Sequence, residues 1–170
     1  MIKSIIERRS IRKYSPDEVT EEEVNALLEA AMYSPSSFNS RPWHFIVVRD
    51  PDKKEKLSKA TPYSGPAAKA PLVIAVCADM KLAKRWVEDC SIAAEHILLQ
   101  AVDLGLGGCW IQIYESELEG RDAEEYVKEI LKIPENYRVL CLLSIGRPAE
   151  KKAAHSKEEF SKEKVHYEEF

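Results

Sequence analysis

The residues of this chain best suited to chemistry are cations. Arg8, Arg9, Arg12 and Lys13 fall within six residues, with the Ser10 hydroxyl among them. A guanidinium binds phosphate through two parallel hydrogen bonds, and a hydroxyl adds a third. The chain as a whole is acidic, with 25 Lys and Arg against 29 Asp and Glu, so such a cluster calls for a local anion. A solvated basic patch at a helix C-terminus, where arginine complements the dipole, is the competing account. A second feature, Pro35-Ser36-Ser37-Phe38-Asn39-Ser40-Arg41-Pro42-Trp43, gathers hydroxyl and amide groups between two prolines and ends in an indole. It offers several donors to a flat polar ligand, although the same residue types build ordinary turns. A third, Gly146-Arg147-Pro148, sets an arginine behind an apolar run. Ligands of layered α/β proteins often sit at strand ends, but the same residues also serve as a strand terminator with a surface arginine.

These features need elements to hold them. Ile2, Ile5 and Ile6 have helical spacing and predict a short helix ending near Arg9. Thr20 with Glu23 forms a capping box, and Val24, Leu27, Leu28 and Ala31 continue a helix to about Tyr33. Phe45 to Val48 reads as a strand, and Asp50-Pro51 starts a short helix to about Lys59. Thr61 to Pro71 reads as a loop. Leu72 to Ala78 and Arg138 to Ile145 are apolar runs of strand length, buried on both faces. Between them, Leu82 to Leu104 predicts a long helix that is apolar almost all round, hence buried in the domain or in a subunit interface. Gly105 caps it, Cys109 to Ile113 is a strand, and Asp122 with Glu125 opens a further boxed helix that Pro134 stops. After Pro148 a Lys/Glu-rich tail carries only isolated aromatics, so it gains order by docking. Strands separated by helices predict a layered fold. A doubly wound nucleotide fold is disfavoured, because the chain opens with helices and lacks the G-x-G-x-x-G turn. Gly105-Leu106-Gly107-Gly108 follows a helix rather than a strand.

Composition narrows the classes. Hydrophobic residues at 45% suffice for a core, and 170 residues fit one domain. A formal net charge of -4 argues against nucleic-acid partners. No run approaches the roughly 20 apolar residues of a membrane span, and the N-terminus lacks the apolar core and cleavage site of a signal peptide. A cytoplasmic protein is therefore expected. Cys77, Cys90, Cys109 and Cys141 are widely spaced, with no C-x-x-C pair, and read as buried structural thiols; no metal site is expected.

The motifs together resemble one family. Arg8-Arg9-Ser10-Ile11-Arg12-Lys13-Tyr14 resembles the R-R-S-x-R-x-[FY] opening of the nitroreductase family. The loop from Pro35 to Trp43 resembles its P-S-x-x-N-x-Q-P-W segment, with Arg41 in place of the usual glutamine. Gly105-Leu106-Gly107-Gly108-Cys109-Trp110 and Gly146-Arg147-Pro148 resemble its later G-L-G-[ST]-C-W and G-x-P turns. The resemblance covers about residues 1 to 150. It implies an α+β fold with a mixed sheet flanked by helices, and an intertwined homodimer with FMN sites at the interface. The whole chain, 1–170, would be a single FMN-binding domain, with 151–170 an arm packing on the partner subunit. By the same resemblance Arg8, Ser10 and Arg147 hold the phosphate with Arg9 assisting, and Arg12 lies at the pyrimidine edge, where it stabilises charge on the reduced flavin. Pro35, Ser36, Ser37 and Asn39 contact the flavin from the partner subunit, the backbone near Gln112 and Ile113 faces N5, and Gly146 lets backbone approach. No side chain is required as acid or base. NADH or NADPH is the expected donor, in ping-pong order, and a nitroaromatic, quinone or similar electron-poor small molecule the acceptor. A relative acting on flavins or halophenols, a non-catalytic or regulatory flavin binder, and a cofactor-free structural dimer are the alternatives.

Overall fold

The two long apolar runs become the two central strands of a four-stranded sheet. The structure, a computed structural model, describes all 170 residues. Its elements are α1 (Lys3–Glu7), α2 (Glu21–Met32), β1 (Trp43–Val48), α3 (Pro51–Leu57), α4 (Pro66–Lys69), β2 (Leu72–Asp79), α5 (Trp86–Asp103), β3 (Gly107–Gln112), β4 (Glu117–Leu118), β5 (Arg121–Asp122), α6 (Ala123–Leu131) and β6 (Tyr137–Gly146). The strand order is β1-β2-β6-β3, antiparallel at every pairing. The one parallel contact is an isolated bridge from Ser10 to Gly108.

Alternation along β2 explains why that strand is apolar at every position. Leu72, Ile74, Val76 and Ala78 face a core built with α2 and α5, whereas Val73, Ala75 and Cys77 face a second core with α3, α4 and α6. The register slips at Val76/Cys77, leaving Leu140 without a partner in β2. Leu140 and Cys141 then join the same core, as a bulge requires. All four cysteines are buried and unbridged. No helix is long and apolar enough to cross a membrane.

Several boundaries differ from the sequence reading. The long helix begins at Trp86 rather than Leu82, because Asp79 holds a turn first: its carbonyl accepts from Leu82 and Ala83, and its side chain accepts from the Lys81 amide. One face of α5 is buried, while Ile92 is exposed and Val87, Leu99 and Val102 are only half-buried. The apolar ring is thus only partly covered within one chain. The Thr20/Glu23 box forms in both directions. At Asp122 only the forward bond forms, from the Glu125 amide, because the Glu125 carboxylate turns instead to Lys128 at 3.1 Å. The 61–71 loop contains the short α4, opened by Pro66. The first stretch of the tail docks on the chain's own N-terminal segment, as described below, whereas Phe160, Tyr167 and Phe170 stand in solvent.

Candidate functional site

The N-terminal cations lie outside helix α1, which stops at Glu7. From Arg8 to Lys13 the chain runs outside any helix, and residues 149–155 return antiparallel along the segment from Ile6 to Lys13. The Ala149 amide donates to the Lys13 carbonyl and the His155 amide to the Ile6 carbonyl, each at 2.9 Å. Between these ends, Glu150 Oε1 accepts from the amides of Arg12 and Lys13 at 2.6 and 3.2 Å. Lys152 Nζ donates to the Ser10 carbonyl, and Arg9 donates to the Ala153 carbonyl. The amide of Arg12, then that of Lys13, holds the Glu150 carboxyl below the usual carboxylate range. On the inner side, the Ile11 amide donates to the Gly108 carbonyl at 2.9 Å. The Tyr14 hydroxyl donates to the Ser144 carbonyl at 3.0 Å and lies 2.8 Å from Ser144 Oγ, and burial pushes that phenol well above its ordinary value. The cation segment is therefore pinned to β3 and β6 on one side and strapped by the arm on the other.

This placement brings some of the expected ligands together. Ser10 bridges Gly108, and Gly107 pairs with Gly146, so Ser10 and Arg147 lie at the same end of the sheet, on opposite sides of β3. Neither arginine end of the chain is free of carboxylate. Arg8 Nε lies 3.3 Å from Glu95 on α5, and Arg147 Nη2 lies 2.9 Å from Glu23 on α2. No hydrogen bond or ion pair joins Arg8, Ser10 and Arg147 to one another. Arg12 is exposed, with Nη1 3.4 Å from the Ser10 carbonyl. Gly146 is small for a packing reason: a Cβ there would sit 2.5 Å from Pro71 Cδ.

The polar loop is hung elsewhere on α5. Ser37 begins a single 3-10 turn over Ser37–Asn39, and its amide donates to the buried carboxylate of Asp89 at 2.8 Å. Ser36 Oγ accepts from the Arg41 amide, and Arg41 Nε donates to Asn39 Oδ1, each at 2.9 Å. Pro35 and Asn39 are exposed, Ser36 and Ser37 half-buried, and Phe38 projects into solvent. Asp89 and Glu95 are six residues apart, about 9 Å along the helix axis. No hydrogen bond or ion pair connects the loop to the cation segment within one chain.

At the far end of β3, an edge strand, the Ile113 amide is spent on the Leu140 carbonyl at 3.1 Å. By the alternation of an antiparallel ladder, the Gln112 amide points the other way, off the open edge. The Gln112 side chain bridges Trp110 Nε1 and the Tyr114 carbonyl. Sequence reasoning missed Asp89, Glu150, Lys152 and the anchoring role of Tyr14; each acts through a partner remote in sequence.

A small α+β protein, with an arginine-bearing strap at one sheet end and an exposed polar loop, has the parts to hold an anionic ligand. The chain belongs to the nitroreductase family, whose model matches residues 5–86 and 64–147. It is 42% identical to an FMN-dependent nitroreductase from Clostridium difficile, whose structure superimposes with a TM-score of 0.96 over 100% of both chains. It is 40% identical, over 98% of its length and 97% of the relative's, to a candidate NADH dehydrogenase/NAD(P)H nitroreductase from Archaeoglobus fulgidus. An NAD(P)H-dependent FMN reductase from Bacillus subtilis is 31% identical, over 90% of this chain and 68% of its own.

Proposed function

We propose that the chain is an NAD(P)H-dependent FMN oxidoreductase, working as a homodimer on small electron-poor acceptors such as nitroaromatics or quinones. One observation carries the reading: an acidic chain brings Ser10 and Arg147, from opposite ends of its sequence, to the same sheet end beside a strapped run of cations.

The residues present suit a flavin mononucleotide. Guanidinium and hydroxyl groups match a phosphate, and Arg8 and Arg147, each held near a carboxylate, can turn to a stronger anion with little loss because those pairs are partly exposed. Arg8, Ser10 and Arg147 would hold the phosphate, with Arg9 fixed by the arm behind them. Arg12, whose backbone Glu150 anchors, would place positive charge at the pyrimidine edge. The Gln112 amide on the open edge of β3 is the better donor toward the ring, the Ile113 amide being already used; Gly146, buried against Pro71 and Tyr14, serves packing rather than the ligand. Pro35, Ser36, Ser37 and Asn39 have no hydrogen bond to the Arg8–Lys13 segment of their own chain, which supports their reaching the partner's site. The half-covered outer face of α5 and the solvent-exposed Phe160, Tyr167 and Phe170 support a dimer in which the arm beyond His155 packs on the other subunit, whereas residues 151–155, expected to do the same, are bonded along their own chain. FMN held by these residues would supply two-electron chemistry between NADH or NADPH and the acceptor, in the ping-pong order expected.

The Bacillus subtilis relative favours one second reading, in which a free flavin is itself the acceptor. Steady-state oxidation of NADH and NADPH with a quinone, a nitroaromatic and free FMN in turn tests the proposal. Turnover with the first two supports it, turnover with free flavin alone selects the second reading, and no turnover by FMN-loaded protein overturns both.

A further inference from the structure

Asp89 is a carboxylate where the fold does not require one. It lies in the first turns of α5 and is only 3% exposed. Its Oδ1 accepts the Ser37 amide at 2.8 Å, while its Oδ2 is buried with no partner. A buried carboxylate oxygen without a donor lowers stability. The loop that Asp89 holds is itself strained: Phe38, Asn39 and Arg41 have φ of +54°, +53° and +46°, a region that disfavours residues with a Cβ. Ser40 Oγ, in the same loop, is also buried without a partner. Strain and unmet hydrogen bonds persist only where surrounding structure holds them in place. The Asp89 bond is the hydrogen bond that ties the Ser36–Asn39 turn to the helical scaffold; the remaining bonds of that turn run within the loop. The cleft beside it, about 350 Å³, is lined by Ser36, Ser37, Arg85, Glu88 and Ile92 together with Asp89.

We propose that Asp89 is a positioning residue, whose buried carboxylate fixes the Ser36–Asn39 turn in the strained form that presents its hydroxyl and amide groups to the flavin. This rests on the flavin reading above. The Asp89 side chain supplies the acceptor for the Ser37 amide, 2.8 Å away. The role is structural in its contacts but specific in its effect: it orders one turn and leaves the two cores alone.

The test compares Asp89→Asn and Asp89→Ala with the parent protein. Three quantities are read: amide hydrogen exchange at Ser37 to Ser40, FMN dissociation constant by fluorescence quenching, and melting temperature of the apoprotein. The expected result is a melting temperature within a few degrees of the parent for both. In Asp89→Ala, Ser37 exchange rises and FMN binds at least tenfold more weakly. In Asp89→Asn, which keeps an acceptor oxygen, both changes are smaller. Unchanged FMN affinity in Asp89→Ala overturns the proposal, as does weaker FMN binding without faster exchange at Ser37. Collapse of the fold in the near-isosteric Asp89→Asn also overturns it, because the residue would then serve the core. Should the parent protein itself take up no FMN, the flavin reading fails instead, and the exchange data alone decide whether Asp89 orders the turn.

Discussion

Arg147, the cation that follows the last strand, is held by Glu23, the residue that caps the second helix. Arg147 Nη2 and Glu23 Oε1 are 2.9 Å apart, while Glu23 Oε2 accepts from the Thr20 amide at 2.9 Å. One carboxylate therefore closes a helix end and parks an arginine proposed to bind phosphate.

Glu23→Gln separates these two tasks. Glutamine still serves a capping box, and the ion pair is partly exposed, so stability should fall by less than about 1 kcal/mol. FMN should bind more tightly, because the guanidinium is no longer shared with a carboxylate. Thermal unfolding and an FMN titration check both; weaker binding would mean that Glu23 aims Arg147 at the ligand.

Arg8→Ala should leave the fold intact and weaken FMN binding about ten- to hundredfold, the worth of one charge-assisted phosphate contact. Glu95→Gln, which frees Arg8 from its neighbour at 3.3 Å, should not weaken binding. Equal FMN affinity in Arg8→Ala and the parent would remove Arg8 from the phosphate site.

A different cluster governs stability. Glu124, 6% exposed, takes Arg138 Nε and Nη2 at 2.7 and 2.8 Å and the Val139 amide at 2.8 Å. The same guanidinium lies 5.1 Å from the Trp86 ring and 5.0 Å from that of Tyr114. Arg138→Ala strands the Glu124 charge with Lys128 at 3.9 Å and should cost about 3 kcal/mol in chemical denaturation, with FMN affinity of the folded protein unchanged. A loss below about 1 kcal/mol would show that Lys128 alone suffices.

Alkaline pH probes the buried thiols. Burial pushes Cys77 and Cys90 from an ordinary 9.0 to about 12, and raises Cys141 well above that ordinary value. The folded state thus keeps protons that the unfolded state releases, so these groups contribute nothing pH-dependent below about 9, and stability falls as pH rises from 9 toward 12. Denaturation midpoints across that window should decline, and a thiol reagent should label these cysteines only on unfolding. Rapid labelling of the native protein would contradict the burial.

What was legible in the sequence was local or strongly patterned. The Thr20/Glu23 box spans four residues, and β2 and β6 carry apolar side chains at nearly every position because both their faces are covered. The start of α5 was misplaced because Asp79, seven residues before Trp86, spends three hydrogen bonds on a turn that no periodicity reports. For the site, the residue types of Arg8, Ser10 and Arg147 were readable, but what restrains them was not. Glu150 acts on Arg12 across 138 residues and Asp89 on Ser37 across 52. Such pairings are set by the fold, not by spacing. The tail showed its need to dock through sparse aromatics, yet its first contacts, through residues 149–155, are polar and lie along its own N-terminal segment.

The central claim, that the strapped cations hold a flavin mononucleotide used for two-electron transfer, is tested most directly by absorption spectroscopy. Purified protein supplied with FMN and desalted should keep a flavin band, and should lose it on anaerobic addition of NADH or NADPH without a long-lived one-electron species. A protein that emerges colourless after FMN addition, or a bound flavin that neither nucleotide bleaches, would contradict the account.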